Sequence, residues 1–210
     1  MLKIGLTGPS GAGKGLVCSV LERTYGIPSI DADRVYHGLL IPPSDCLSAL
    51  SEAFGREILN GDGTLHRAAL AAVVFSCPDA ELRSERIARL NAITHPHVLK
   101  KMREIAEAYR QSGTAAVILD APALYESGLS EECDLTVAVT ARPETRLLRI
   151  MERDGIPMER ARARIRAQGS DAFYTERADA VLHNDGTADE FERQILAFYN
   201  EHIAPRIPSA

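Results

Sequence analysis

The string Gly8-Pro9-Ser10-Gly11-Ala12-Gly13-Lys14 is the strongest chemical signal in this chain. Glycines let a backbone curl until several N–H groups point at one anion, and the lysine that closes the string adds a full positive charge. The short apolar run Leu2 to Leu6 precedes it and a helical pattern from Lys14 to Arg23 follows, so the loop is expected between a strand and a helix N-terminus. That terminus carries partial positive charge and suits phosphate. A glycine turn with a surface lysine is the weaker reading. Gly15 stands where such loops usually carry Ser or Thr, and Leu16 comes next, so the hydroxyl that ordinarily touches Mg²⁺ is missing. The metal is then held through waters and carboxylates, or held weakly.

Carboxylates that could serve such a loop follow two predicted strands. Asp31-Ala32-Asp33 comes just after a short second strand ending at Ser29 and Ile30, and Asp120 closes the run Ala115 to Asp120. Ligands of open α/β sheets bind outside the carboxyl ends of the strands, so these acids could divide the work of holding metal and accepting a proton. Chemistry alone leaves Asp31 and Asp33 nearly even, and helix capping is the structural alternative for either. A third charge feature lies between Arg142 and Gln168, where eight arginines face four acids, giving +4 against −9 for the rest. Such a run is a solvated helix face or a cationic flap over polyphosphate.

The elements that must position these groups alternate short apolar runs with helical stretches, which indicates α/β architecture: a parallel sheet flanked by helices. Ala115 to Asp120 and Leu135 to Thr140 are continuous apolar runs, the pattern of strands covered on both faces, and Ala180 to His183 is a final short strand. From Ser44 to Gln111 the periodicity is helical in three pieces, Ser44 to Phe54, His66 to Phe75 and Pro78 to Gln111, with His95-Pro96 expected to divide the last. The domain reading is therefore one chain with a core of 1–43, 112–141 and 169–210, a helical insertion at 44–111 and a lid at 142–168.

Composition narrows the function class. At 210 residues, 45% hydrophobic and 25% charged, the chain can bury a substantial core. A net charge of −5 argues against a nucleic-acid coat, which needs surplus cations. Four separated cysteines form no CxxC pair, and no run approaches the ~18 apolar residues of a membrane span. Small-molecule partners, no nucleic acid, no membrane and a cytoplasmic location are the expectations, with oligomeric state left open.

Nearly end to end, the chain resembles the dephospho-CoA kinase family. The resemblance rests on IGLTG at Ile4 to Gly8, GAGK at Gly11 to Lys14, IDAD at Ile30 to Asp33, and DGTLHRAALAAVVF at Asp62 to Phe75. LNAITHP at Leu90 to Pro96, then Pro122, Leu124, Glu126, Arg149, Gln168, Ala178-Asp179 and Asn184, continue it. It implies a P-loop NTPase-like fold with a helical substrate-binding insertion and a lid, and transfer of the ATP γ-phosphoryl group to the ribose 3′-hydroxyl of dephospho-CoA, with Mg²⁺. By motif position it implies three catalytic residues, Asp33 as base, Lys14 as phosphate lysine and Arg149 as the lid arginine that reaches the transferring phosphoryl group, with Gly11, Ala12, Gly13, Lys14, Gly15 and Leu16 as the ATP loop. Gly15 departs from the family's usual Ser, Ser170 to Glu176 lack the basic residue many members carry, and no metal ligand is assigned. Two rivals stand beside this reading: a nucleoside monophosphate kinase, whose loop GPSGAGKG resembles, and a nucleotide-binding regulatory protein that has lost turnover.

Overall fold

The computed structural model describes residues 1–207. Its sheet has five strands, β1 (Leu2–Thr7), β2 (Ser29–Asp31), β3 (Ala116–Asp120), β4 (Leu135–Thr140) and β5 (Ala180–His183), in the order β2-β3-β1-β4-β5. Every neighbouring pair is parallel. β3 and β4 read as unbroken apolar sequence because β4 is buried at every position and β3 at all but Asp120. β1 lies between β3 and β4, and the chain leaves β1 toward β2 but leaves β3 toward β4. The carboxyl ends of β1 and β3 therefore flank the switch in chain direction where open α/β folds bind ligands.

Helix α1 (Lys14–Tyr25) packs Val17, Val20 and Leu21 on the sheet, with Phe191 and Ile195 of a late helix, Ala188–Phe198, in the same core. Gly26 ends α1 in the left-handed conformation, which glycine adopts without the penalty of a Cβ. Thr187 and Glu190 form a reciprocal capping box at the start of the late helix.

The chain packs as two compact units, Met1–Asp31 with the chain from Ala106 onward, and Ala32–Ile105. The second holds α2 (Ala32–Leu39), α3 (Asp45–Phe54), α4 (Arg67–Phe75) and the larger part of α5 (Ala80–Gln111), around Leu40, Cys46, Leu50, Phe54, Ile58, Leu70 and Val74. Its start at Ala32, where the sequence reading placed Ser44, comes from α2, a helix that periodicity did not single out. Ser44 caps α3, accepting from the Leu47 N–H at 3.1 Å. In the Asp62-Gly63-Thr64 stretch the Asp62 carboxylate accepts from the Thr64 N–H at 3.0 Å and its hydroxyl at 2.6 Å, building the turn that leads into α4.

One expectation fails here. Pro96 does not divide the third helical piece: α5 is continuous from Ala80 to Gln111 with the proline inside it. An interior proline forfeits one backbone bond and costs about 3 kcal/mol. Packing on both sides offsets this, because Ile87, Leu90 and Ile93 lie against the helical core while Met102 and Ala106 are buried further on. The four cysteines are free, two buried and two half-buried, as small apolar residues would be. Among the described residues no helix is long and apolar enough to cross a membrane.

Candidate active site

The glycine-rich loop runs from the end of β1 to the first residue of α1, as its sequence context requires. Gly8, Gly11 and Gly13 have φ of 139°, 79° and 109°, a region L side chains rarely adopt. Space is short as well: a Cβ on Gly8 would lie 2.1 Å from the Val139 carbonyl oxygen, and one on Gly13 would lie 2.2 Å from Asn184 Nδ2.

Three successive carbonyls of the loop are held from outside. Arg146 Nε donates to the Ser10 oxygen at 3.1 Å, Arg149 Nη1 to the Gly11 oxygen at 3.4 Å, and Asn184 Nδ2 to the Ala12 oxygen at 2.8 Å. A trans peptide unit is planar, with its N–H directed opposite to its C=O. The N–H groups of Gly11, Ala12 and Gly13 therefore point away from these three side chains; that of Ala12 also reaches the Pro9 oxygen at 3.2 Å. Arg149 further donates to Asn184 through Nη1 and Nη2, at 3.2 Å to its backbone oxygen and 3.1 Å to Oδ1.

Lys14 folds back over the loop, its Nζ donating to the Gly8 oxygen at 3.3 Å and lying 3.9 Å from Asp120 Oδ1. Cys18, one turn along the same helix face, places Sγ 4.0 Å from Asp120 Oδ2. Burial pushes the Cys18 thiol up to about 12, with the Asp120 and Asp31 carboxylates adding to the rise. This thiol is neutral packing, not a nucleophile. Asp31 is the register partner of Asp120 on the adjoining strand, so the two carboxylates share one face at the carboxyl edge of the sheet.

Lys14, the Gly11 to Leu16 loop and Arg149 are thus brought together in the sheet-bearing unit. Asp33 lies in the first turn of α2, in the helical unit. Of the eight arginines in the +4 segment, six are exposed on α6 (Pro143–Asp154), α7 (Met158–Arg166) or just before them, Arg149 is half-buried and Arg146 is 3% exposed. The run is a solvated face over most of its length, with Arg146 and Arg149 turned onto the loop carbonyls. Arg146 escaped the sequence reading; the available signal was its place four residues before Ile150, on the buried stripe of α6.

A family model described as dephospho-CoA kinase matches residues 2–190. A dephospho-CoA kinase of Geobacillus kaustophilus is 42% identical over 95% of this chain and 96% of its own. The chain belongs to the dephospho-CoA kinase family. A second member, from Streptomyces avermitilis, is 42% identical over 93% of this chain and 91% of its own. A crystal structure of a Thermus thermophilus protein is 33% identical, with a TM-score of 0.76 over 97% of this chain and 98% of that one. A dephospho-CoA kinase structure from Campylobacter jejuni, at 23% identity and a TM-score of 0.67 over 95% and 96%, shares the fold. This member of the dephospho-CoA kinase family is a nucleotide-binding kinase of P-loop architecture, and the monophosphate-kinase and regulatory readings draw no support from these matches.

Proposed function

We propose that this protein transfers the γ-phosphoryl group of ATP to the ribose 3′-hydroxyl of dephospho-CoA, giving coenzyme A and ADP. The observation that carries the reading is the loop whose Ser10, Gly11 and Ala12 carbonyls are held outward with Lys14 folded across it, a cradle for polyphosphate in a chain with the family's motifs throughout. In this reading Lys14 neutralises charge on the β- and γ-phosphates and Asp33 orients the acceptor hydroxyl and takes its proton. The loop N–H groups stabilise charge that spreads over the phosphoryl oxygens, which is most of what catalysis of a loose phosphoryl transfer requires. Arg149 keeps the loop's shape and lies beside it. A one-pot reaction of ATP with dephospho-CoA, read by ³¹P NMR, tests the assignment: a new 3′-phosphomonoester resonance with ADP in equal amount supports it, and ADP without that ester contradicts it.

Mg²⁺ fits the residues present. It favours oxygen donors and keeps several waters, and the paired Asp31 and Asp120 carboxylates supply oxygens at the strand edge beside Lys14. Among the described residues no cluster of three or more His, Cys, Asp or Glu is placed to hold a metal ion. When bound, the ion would neutralise phosphate charge. Gly15 can be tested directly, since its φ is outside the left-handed region and a Cβ there meets nothing within 4 Å. Gly15→Ser is expected to lower the Mg²⁺ concentration for half-maximal turnover about threefold or more by restoring a hydroxyl ligand. An unchanged Mg²⁺ titration with intact ATP binding would show that the missing hydroxyl does not limit this enzyme.

A further inference from the structure

Ser10 is gripped at every polar atom it has. Its N–H donates to Gln168 Oε1 at 3.0 Å, its carbonyl accepts from Arg146 Nε at 3.1 Å, and its hydroxyl accepts from Arg153 Nη2 at 3.3 Å. Gln168 Oε1 accepts a second bond, from Arg146 Nη2 at 3.0 Å, and Arg146 Nη1 reaches Asp171 Oδ1 at 3.3 Å. Arg146 and Arg153 come from opposite ends of α6 and Gln168 follows α7, yet all three converge on one loop residue.

Arg146 is a nearly buried cation, and burial of a charge is costly unless its donors are matched by acceptors. Here all three guanidinium nitrogens are matched, and two of the bonds lead to Ser10, one directly and one through Gln168. The Ser10 carbonyl belongs to the same rigid peptide unit as the Gly11 N–H, so fixing the oxygen fixes the direction of that N–H. The backbone leaves little slack: a Cβ on Gly11 would lie 2.8 Å from the Arg146 carbonyl oxygen.

We propose that Arg146 and Gln168 are a positioning pair for the phosphate loop: they set the Ser10–Gly11 peptide and hence the aim of the Gly11 N–H at bound polyphosphate. This rests on the kinase reading above, in which that loop takes ATP. Neither residue touches the reacting atoms. Their effect falls on ATP and on the transfer step, not on the acceptor.

The test separates the shared acceptor atom from the bulk of the side chain. Gln168→Met keeps length and removes the oxygen, whereas Gln168→Glu keeps an oxygen that can accept from both Ser10 and Arg146. Gln168→Met is expected to raise the Kd for ATP roughly tenfold and to lower kcat, with the KM for dephospho-CoA within about twofold of wild type. Gln168→Glu recovers most of that loss. Arg146→Lys, which cannot span three acceptors with one ammonium, behaves like Gln168→Met. The Gly11 amide resonance, shifted by ADP in the wild type, loses most of its ADP response in Gln168→Met and regains it in Gln168→Glu. The proposal is overturned if Gln168→Met and Gln168→Glu have equal effects. A lowered melting temperature with unchanged ATP affinity also overturns it, because the pair would then be a brace for the fold alone. Failure of the kinase reading looks different: wild-type protein would not phosphorylate dephospho-CoA, while the order of ATP affinities among the variants would stand.

Discussion

Lys14→Ala is expected to lower kcat by about a hundred- to a thousandfold while the protein stays folded. Lys14 is the full positive charge of the phosphate loop, and its Nζ is held over the loop by the Gly8 carbonyl at 3.3 Å. An interaction that strengthens as charge builds on the transferring group acts on kcat, whereas one equal in ground and transition states would appear only in KM. The fold has little to lose, since the polar contacts of the Lys14 side chain among the described residues are that bond and a 3.9 Å approach to Asp120, and the core beneath α1 is apolar. Steady-state kinetics beside a thermal melt checks this. Near-normal kcat in a folded variant would remove Lys14 from the mechanism and with it the phosphate-cradle reading.

The second large effect separates two acids in the same tripeptide. Asp33→Asn is expected to leave ATP affinity nearly intact and to cut transfer to dephospho-CoA by about a hundredfold or more, the usual range for a lost general base. Asp31→Asn is expected to raise the Mg²⁺ requirement instead. Asp31 ends β2 in register with Asp120, which ties it to the strand-edge carboxylate pair, while Asp33 begins the helical unit. As an acid in the first turn of α2, Asp33 also favours the helix N-terminus by about 0.3–1 kcal/mol, too little for its loss to unfold the protein. Loose phosphoryl transfer needs little base strength, so part of the loss reflects a misplaced hydroxyl. Reversed effects would exchange the two roles; loss of ATP affinity in both variants would make both acids metal ligands and place the base elsewhere.

The parts of this molecule that declare themselves in sequence are those where local chemistry and environment agree. LTVAVT from Leu135 to Thr140 is a strand covered on both faces, and its apolar run has the strand's bounds. The glycine loop is legible because positive φ at Gly8, Gly11 and Gly13 leaves almost no other residue possible. Pro96 misleads because its local penalty is outweighed by burial along a helix whose packing partners are distant in sequence. Arg146 is hidden for a related reason: among eight arginines nothing in residue type separates the one whose acceptors lie at positions 10, 168 and 171. The Asp31–Asp120 pairing likewise needs strand order, which places β2 beside β3 although α2 to α5 intervene in the chain.

Acceptor selectivity tests the central claim most directly. With saturating ATP and Mg²⁺, kcat/KM measured in one ADP-coupled assay for dephospho-CoA, CMP and AMP should favour dephospho-CoA by at least about a thousandfold, the scale on which a site built for one polar acceptor rejects others. A kcat/KM for CMP or AMP equal to or above that for dephospho-CoA would contradict the account, and so would ATP binding without turnover on any of the three.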